Sequence, residues 1–353
     1  MSTKRVSAVF VGCGGFARNY LGVYRRLPFV QPLLCYDVSE ATAAKLAETF
    51  GAEYTTDFER VKHTQADFAV VSTPNFSHLE HATELLRSGK HVLLQKPMAR
   101  WLTEAAGLHA AAQNVPGQKL GMYMSMLDFE LWWELRKAIR DGHVFGKIVE
   151  INIRLGHNGG LVWRQGDAST WRFSKEKTGG GAFVMLGVHY VHLIRWLTGL
   201  RISRVCARAE NLHCPHIEGE DICQVQAELS DGSFCQINVA WNSKGEHFAL
   251  YGTQGTFCYL DNQLLRVNAT TGWQTPGFSY QRLGEWETHP DILPPALDDA
   301  SNPLNQQRQF AEAVRDNLPP PVSMDEGLCD MRTVDAVYRS VASGGWESVT
   351  YER

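Results

Sequence analysis

No apolar run in this chain approaches the roughly 20 residues that a membrane-spanning helix needs. No run of Lys or Arg marks a nucleic-acid or anionic-lipid surface. Eight cysteines are scattered along 353 residues without one CxxC pair, a usage that fits reduced thiols in a cytosol. Internal repeats and low-complexity tracts are missing too. The N-terminus is basic and then apolar, but the short apolar run enters a glycine turn rather than a small-residue cleavage site. It therefore reads as a strand and not as a signal peptide. What remains is an ordinary globular composition: 44% hydrophobic, 20% charged and a formal net charge of −4. A chain this long has room for about two domains and a large core. These features point to a cytoplasmic protein without a nucleic-acid or membrane partner.

One cluster invites a metal reading: HCPHIEGEDIC holds His213, Cys214, His216 and Cys223. A tetrahedral site needs a second ligand pair at the usual spacing, and none is present. The segment reads instead as a polar loop entering the strand ICQVQAELS, and no metal is expected.

Through residue 122 the chain alternates in the βαβ manner. RVSAVFVG, QPLLCYD, ADFAVVSTP, HVLLQKP and KLGMYMSM are short apolar runs, with the helical stretches ARNYLGVYRRL, EATAAKLAETF and HLEHATELLRSG between them. Such runs imply a parallel sheet covered on both faces. After the helix LDFELWWELRKAIRDG come longer alternating strands, with Asp231-Gly232 as a hairpin turn between two of them. The expected architecture is α/β: a parallel-sheet domain over 1–122, then an α+β domain over 123–353 with a large, mostly antiparallel sheet. A final helix spans MDEGLCDMRTVDAVYRSVAS.

VFVGCGGFA supplies Gly12, Gly14 and Ala17 as G-x-G-x-x-A directly after a strand, with Gly15 and Phe16 completing the loop. Gly12 permits the tight turn, Gly14 admits a pyrophosphate against the backbone, and Ala17 allows close helix packing. The following helix N-terminus offers unpaired N–H groups to the anion. Asp37 ends the next strand twenty residues after Ala17, where a carboxylate accepts from a ribose 2′-OH and repels a 2′-phosphate. The alternative is that Asp37 caps a helix beginning at Ser39. Together these signals describe a Rossmann dinucleotide site, with NAD favoured over NADP.

With these motifs the sequence resembles the glucose–fructose oxidoreductase and inositol dehydrogenase family, Gfo/Idh/MocA. The likeness covers nearly the whole chain. It rests on VGCGGFA, STPNFSHLEHA, QKP, GGGAFVMLGVHYVHLIRWLTG and EDICQVQAELSDGSFCQINVAW in that order. It implies an NAD(P)-dependent oxidoreductase acting on a sugar, cyclitol or related polyol, associated as a homodimer or homotetramer. It also implies that Ser72, Thr73, Pro74, Asn75 and His78 lie at the cofactor. The family's Glu-Lys-Pro is here Gln95-Lys96-Pro97, whose lysine touches cofactor or substrate. A Lys at the carboxyl end of a central parallel strand sits where ligands bind in open α/β sheets. Gln95 keeps an acceptor but offers Lys96 no negative partner.

The family's helix after the glycines carries Asp-x-x-x-His. Here Met185 stands at the Asp position and His189 at the proton-transferring His, while His192 replaces a second acid. Met185, His189, His192 and Trp196 follow helical spacing and form one stripe. His192 is either a substrate hydrogen-bond donor or an interior histidine, and Tyr190 between the two is placed with the substrate residues. The stretch 155–181 adds His157, Trp163, Arg164, Trp171 and Arg172. Aromatic faces with planar donors suit polyhydroxylated ligands, or they anchor a surface loop. Two other readings share the scaffold: glycoside cleavage through transient oxidation and elimination, and a non-catalytic NAD-binding sensor.

Overall fold

The computed structural model describes residues 4–140, 144–162, 170–261, 263–269, 273–275, 278–280 and 299–351. The chain divides into two compact units, Met1–Asp128 with Pro295–Met331, and Phe129–Pro294 with Arg332–Arg353.

The first unit holds six strands: β1 (Val6–Val11), β2 (Val30–Tyr36), β3 (Glu53–Thr55), β4 (Phe68–Val71), β5 (His91–Gln95) and β6 (Leu120–Tyr123). They pair in the order β3-β2-β1-β4-β5-β6, every pair parallel. β4 is buried at all four residues and β1 at five of its six, as a sheet covered on both faces requires. The order reverses between β1 and β4, and that switch point opens at their carboxyl ends, where ligands bind in open α/β sheets.

This unit differs from expectation in two places. ARNYLGVYRRL is not one helix but two short ones, Gly15–Tyr20 and Val23–Arg26, with Leu21-Gly22 between them. The expected division into 1–122 and 123–353 also differs from the contact units, since the first unit runs to Asp128 and takes in Pro295–Met331 as well. The reason is packing. Helix Gln306–Arg315 puts Phe310, Ala311 and Val314 into the same core as Phe10, Tyr24, Phe50 and Phe68. Phe310 meets the Phe68 ring edge-on at 6.0 Å. Gly121 in β6 makes room for it, since a Cβ there would lie 2.9 Å from the Phe310 ring.

In the second unit the larger sheet has eight strands. They are β7 (Ile148–Gly156), β8 (Ile202–Glu210), β9 (Ile222–Leu229), β10 (Phe234–Ala240), β11 (Gly245–Gly252), β12 (Gly255–Leu260), β13 (Gln263–Ala269) and the two-residue β16 (Glu347–Ser348). A separate small hairpin is made by β14 (Trp273–Thr275) and β15 (Phe278–Tyr280). The large sheet runs β13-β12-β11-β7-β10-β9-β8-β16, antiparallel except for the central pair of β7 and β10. Asp231-Gly232 makes the turn between β9 and β10. Gly232 has φ +87°, and Asp231 Oδ1 accepts from both the amide and the hydroxyl of Ser233.

One face of this sheet is apolar: Ile151, Ile153, Val225, Ala227, Ile237, Val239, Phe248 and Leu250 are buried. Helix Glu130–Arg140 lays Trp132 on it, 5.1 Å from the Phe248 ring and 5.6 Å from Tyr259. Full burial of a large apolar side chain of this kind contributes about 1.5–3 kcal/mol. The last helix, Met324–Ser343, begins in the first unit and ends in the second. No helix among the described residues is long and apolar enough to cross a membrane.

Candidate active site

At the end of β1 the chain turns at Gly12, where φ is +90°. A Cβ at Gly12 would sit 2.7 Å from the carbonyl carbon of Ser72 and the amide nitrogen of Thr73, so the close approach of these two loops admits glycine alone. Ser72 closes the contact by donating its hydroxyl to the Gly12 carbonyl at 2.8 Å. Gly14 faces open space, with nothing within 4 Å of a Cβ position. Helix Gly15–Tyr20 begins there without a side-chain cap or an acid in its first turn. Its leading amides are thus left for an anion. Ala17 packs inward at 1% exposure. Phe16 stacks on Tyr20 at 4.3 Å and meets Tyr123 edge-on at 5.7 Å.

Asp37 reaches back to this loop: its Oδ2 accepts the Cys13 N–H and its Oδ1 the Ser39 N–H, both at 2.9 Å. It does not cap the next helix. Ser39 does that, accepting from the Thr42 amide as N-cap of Glu40–Phe50. An open backbone cradle with an oriented carboxylate beside it fits a dinucleotide, whose pyrophosphate would lie on the amides and whose ribose would face Asp37.

Beyond β4, His78 is fully buried, with Nε2 2.9 Å from the Thr73 carbonyl and Nδ1 2.9 Å from the Pro97 carbonyl. Burial lowers its pKa to about 4 against the pull of both carbonyls, and a neutral ring can donate to only one of the two. His78 ties the Ser72–Asn75 loop to the turn after β5. Pro74 opens the 3-10 turn Asn75–Ser77, and Asn75 is buried at 2% exposure. The Thr73 hydroxyl lies 3.3 Å from Nδ1 of His81, a ring that burial holds near pKa 4 against Phe58 and Tyr36. His81 carried no signal in the sequence beyond its helical position.

Gln95 Oε1 accepts the Lys96 backbone N–H at 2.7 Å. The amide oxygen is thereby turned to the main chain, and half-buried Lys96 leads into a cis peptide bond to Pro97.

In the second unit, Phe183–Gly187 forms a π turn and Val188–Thr198 an α-helix. This corrects the expected single stripe: the wider turn interrupts ordinary spacing between Met185 and His189. Both residues are half-buried, while His192 lies inside at 2% exposure. Tyr190 also departs from expectation. It has no exposed surface, and its hydroxyl donates to Glu246 at 2.7 Å, which removes it from the residues open to substrate.

The glycines before the π turn are held by residues that the sequence reading passed over. Glu220 Oε1 accepts the Phe183 N–H at 2.8 Å and the Tyr338 hydroxyl at 2.9 Å. The Tyr338 oxygen in turn accepts the amides of Val184 and Gly181 at 3.3 and 3.4 Å. Three consecutive glycines leave room for a close approach, but do not tell which distant residue makes it.

His157 accepts the Gly159 N–H at Nδ1, 2.9 Å, so that nitrogen carries no proton. Arg172 lies over the Trp171 ring at 4.8 Å, both half-buried. Trp163 and Arg164 lie outside the described residues. In HCPHIEGEDIC, buried Asp221 collects the amides of Leu212, His213 and Cys214 and the side chain of Asn242. Hydrogen bonds outweigh burial there and hold its carboxyl below the usual range. Among the described residues no group of three or more His, Cys, Asp or Glu is arranged to hold a metal.

Two family models match this chain. One, described as an oxidoreductase family with an NAD-binding Rossmann fold, covers residues 6–120, and the other, the GFO/IDH/MocA C-terminal domain, covers 132–258. Glucose-6-phosphate 3-dehydrogenase of Bacillus subtilis is 27% identical over 191 residues, 53% of this chain and only 52% of that enzyme. The scyllo-inositol 2-dehydrogenase (NADP(+)) IolW of the same organism is 25% identical over 96% of this chain and 95% of its own. The crystal structure of GenD2 from gentamicin A biosynthesis, in complex with NAD, superposes with a TM-score of 0.83 at 26% identity, covering 99% of this chain and 98% of that one. The glycine loop, both sheets and both family matches agree: this chain belongs to the GFO/IDH/MocA oxidoreductase family.

Proposed function

We propose that this oxidoreductase exchanges hydride between NAD and a CH–OH group of a sugar, cyclitol or related polyol, with Lys96 and His189 handling the proton. The choice of NAD is carried by Asp37. Two amides fix its carboxylate beside the glycine loop. A negative group there accepts from a 2′-hydroxyl and repels a 2′-phosphate. Val38, Ser39 and Glu40, which follow it, bring no positive charge. One relative is named as NADP(+)-dependent, and initial rates with NAD and with NADP distinguish the two cofactors.

The nicotinamide, when bound, supplies the hydride acceptor. Everything else is asked of the chain. His189 takes the proton of the reacting hydroxyl, and Lys96 holds the substrate oxygen and shares that proton. A thioether at Met185 offers an imidazole only a weak acceptor and no negative charge to offset its own, which leaves more of the proton work to Lys96. His192, His157, Trp163, Arg164 and the stacked pair Trp171–Arg172 serve the polyol.

The test is an assay of NAD with scyllo-inositol, glucose 6-phosphate and a glycoside of glucose, following both NADH absorbance and products. Net NADH formation is expected, falling by about 10²- to 10⁴-fold in His189→Ala and in Lys96→Met while NAD binding persists. Release of the aglycone without net NADH would replace this reading with redox-neutral elimination.

A further inference from the structure

The amides of Gly181, Ala182, Phe183 and Val184 lead into the turn that carries the chain to His189. A helix start leaves such amides without partners in its own backbone, and an N-cap Ser, Thr, Asp or Asn ordinarily accepts from one or two of them. Gly180, Gly181 and Ala182 have no side chain that can do so. The acceptors come instead from two distant points of the same unit. The Glu220 carbonyl accepts the Ala182 amide at 2.9 Å, and Glu220 Oε1 accepts that of Phe183 at 2.8 Å. The Tyr338 oxygen accepts the Gly181 and Val184 amides and donates its own hydrogen to Glu220 Oε1. One hydroxyl thus uses its donor and both acceptor sites, and the four amides are all answered.

The glycines are the socket for this cap. A Cβ on Gly180 would fall 2.0 Å from the Tyr338 oxygen, and one on Gly181 2.1 Å from the Glu220 carbonyl oxygen. Gly219 lies as close on the other side, 2.5 Å from the Gly180 oxygen. The next turn is equally particular. Gly187 lets the π turn close, because a Cβ there would sit 2.5 Å from the Phe183 ring, and that ring packs edge-on against Tyr338. His189 follows the π turn by two residues. A slip of one residue at the cap would rotate every later side chain by about 100° around the helix axis.

We propose that Glu220 and Tyr338 are a positioning pair, which sets the register of the His189 helix by capping its glycine start and so places the imidazole for proton transfer. The inference rests on the reading of His189 as the proton-transferring residue. Neither Glu220 nor Tyr338 is assigned contact with substrate. Glu220 is buried among donors, and burial raises its pKa against those hydrogen bonds.

The experiment compares Tyr338→Phe, Glu220→Met and Glu220→Gln with wild type in three measurements. These are kcat with scyllo-inositol or glucose 6-phosphate and NAD, the Kd of NAD, and the histidine side-chain ¹H–¹⁵N spectrum, in which the His189 signal is identified by its loss in His189→Ala. Tyr338→Phe and Glu220→Met are expected to lower kcat by about 10- to 100-fold and to shift the His189 signal, with the Kd of NAD unchanged. Glu220→Gln, which keeps the Oε1 acceptor, is expected to retain most of kcat and the wild-type signal. An unmoved His189 signal in folded Tyr338→Phe overturns the proposal, whatever happens to stability. If Tyr338→Phe does not fold, equal kcat and equal His189 signals in Glu220→Gln and Glu220→Met overturn it. Turnover that survives His189→Ala refutes the proton-transfer role instead, and the His189 signal still decides whether the pair sets the helix register.

Discussion

The backbone N–H of Cys13 donates to Oδ2 of Asp37 at 2.9 Å, joining the glycine loop after β1 to the acid that ends the next strand. The other carboxylate oxygen takes the Ser39 amide. Each oxygen keeps a further lone pair, so the group is oriented without being used up. Asp37→Asn keeps one carbonyl-type acceptor and removes the charge. Its ratio of kcat/KM for NAD over NADP is expected to fall by about 10- to 100-fold, read from initial rates with both cofactors. An unchanged ratio would remove Asp37 from cofactor selection.

Gly12→Ala tests the close approach of β1 to β4. The added Cβ meets Ser72 and Thr73 backbone at 2.7 Å, at a φ of +90°. Backbone cannot swing aside as a flexible side chain can. A loss of about 2–4 kcal/mol is expected in urea unfolding, with NAD binding weakened in the protein that remains folded.

Gln95→Glu tests Lys96. The new carboxylate can still accept the Lys96 amide that Gln95 Oε1 accepts now. Its negative charge beside the ammonium favours the protonated lysine. The limb of the kcat–pH profile that belongs to Lys96 is expected to move upward by about one unit. A profile that does not move would show that Lys96 is not the titrating group.

Asp128 gives the pH dependence of stability. It is 2% exposed, with Tyr123 OH donating to Oδ2 at 2.9 Å and the Gln306 amide to Oδ1 at 2.8 Å. Burial outweighs those bonds and raises its pKa from 3.8 to about 7. Between these two values the native state keeps a proton that the unfolded chain has released. This contribution to stability is therefore complete below about pH 4, declines as pH rises to about 7, and is flat above. Asp128→Asn, neutral throughout, is expected to match wild type near pH 4 and to exceed it by about 4 kcal/mol at pH 8. Urea titrations across that range check it, and a pH-independent difference would refute it.

Phe310→Ala tests the return of the chain to the first unit. The ring is fully buried among Rossmann-core residues. Its removal is expected to cost about 3–5 kcal/mol and to lower the melting temperature of the first unit.

Much of this was legible locally. Apolar runs of four to seven residues between helical stretches announced β1 through β6, except for the exposed three-residue β3. Strict alternation announced β9 and β10, whose inward faces are Cys223, Val225, Ala227, Leu229 and Cys235, Ile237, Val239. Asp-Gly between them was enough to read a turn. The site was legible where a residue type has few uses: Gly12 for its φ, Asp37 for a carboxylate at a strand end. It was less so where a side chain has several. Tyr190 looked like a substrate contact and proved a core tyrosine bonded to Glu246.

By itself, the sequence determined the parallel and antiparallel halves, the glycine loop with its acid, and the His189 segment, because each is specified by neighbours within about twenty residues. Only the tertiary structure decided that Pro295–Met331 completes the first unit's core, that Met185 lies inside a π turn ending two residues before His189, and that Glu220 and Tyr338 cap the three glycines. Those outcomes depend on contacts between residues 37 to 178 positions apart. Local propensity carries no record of which distant side chain will arrive to fill a cavity or answer an amide.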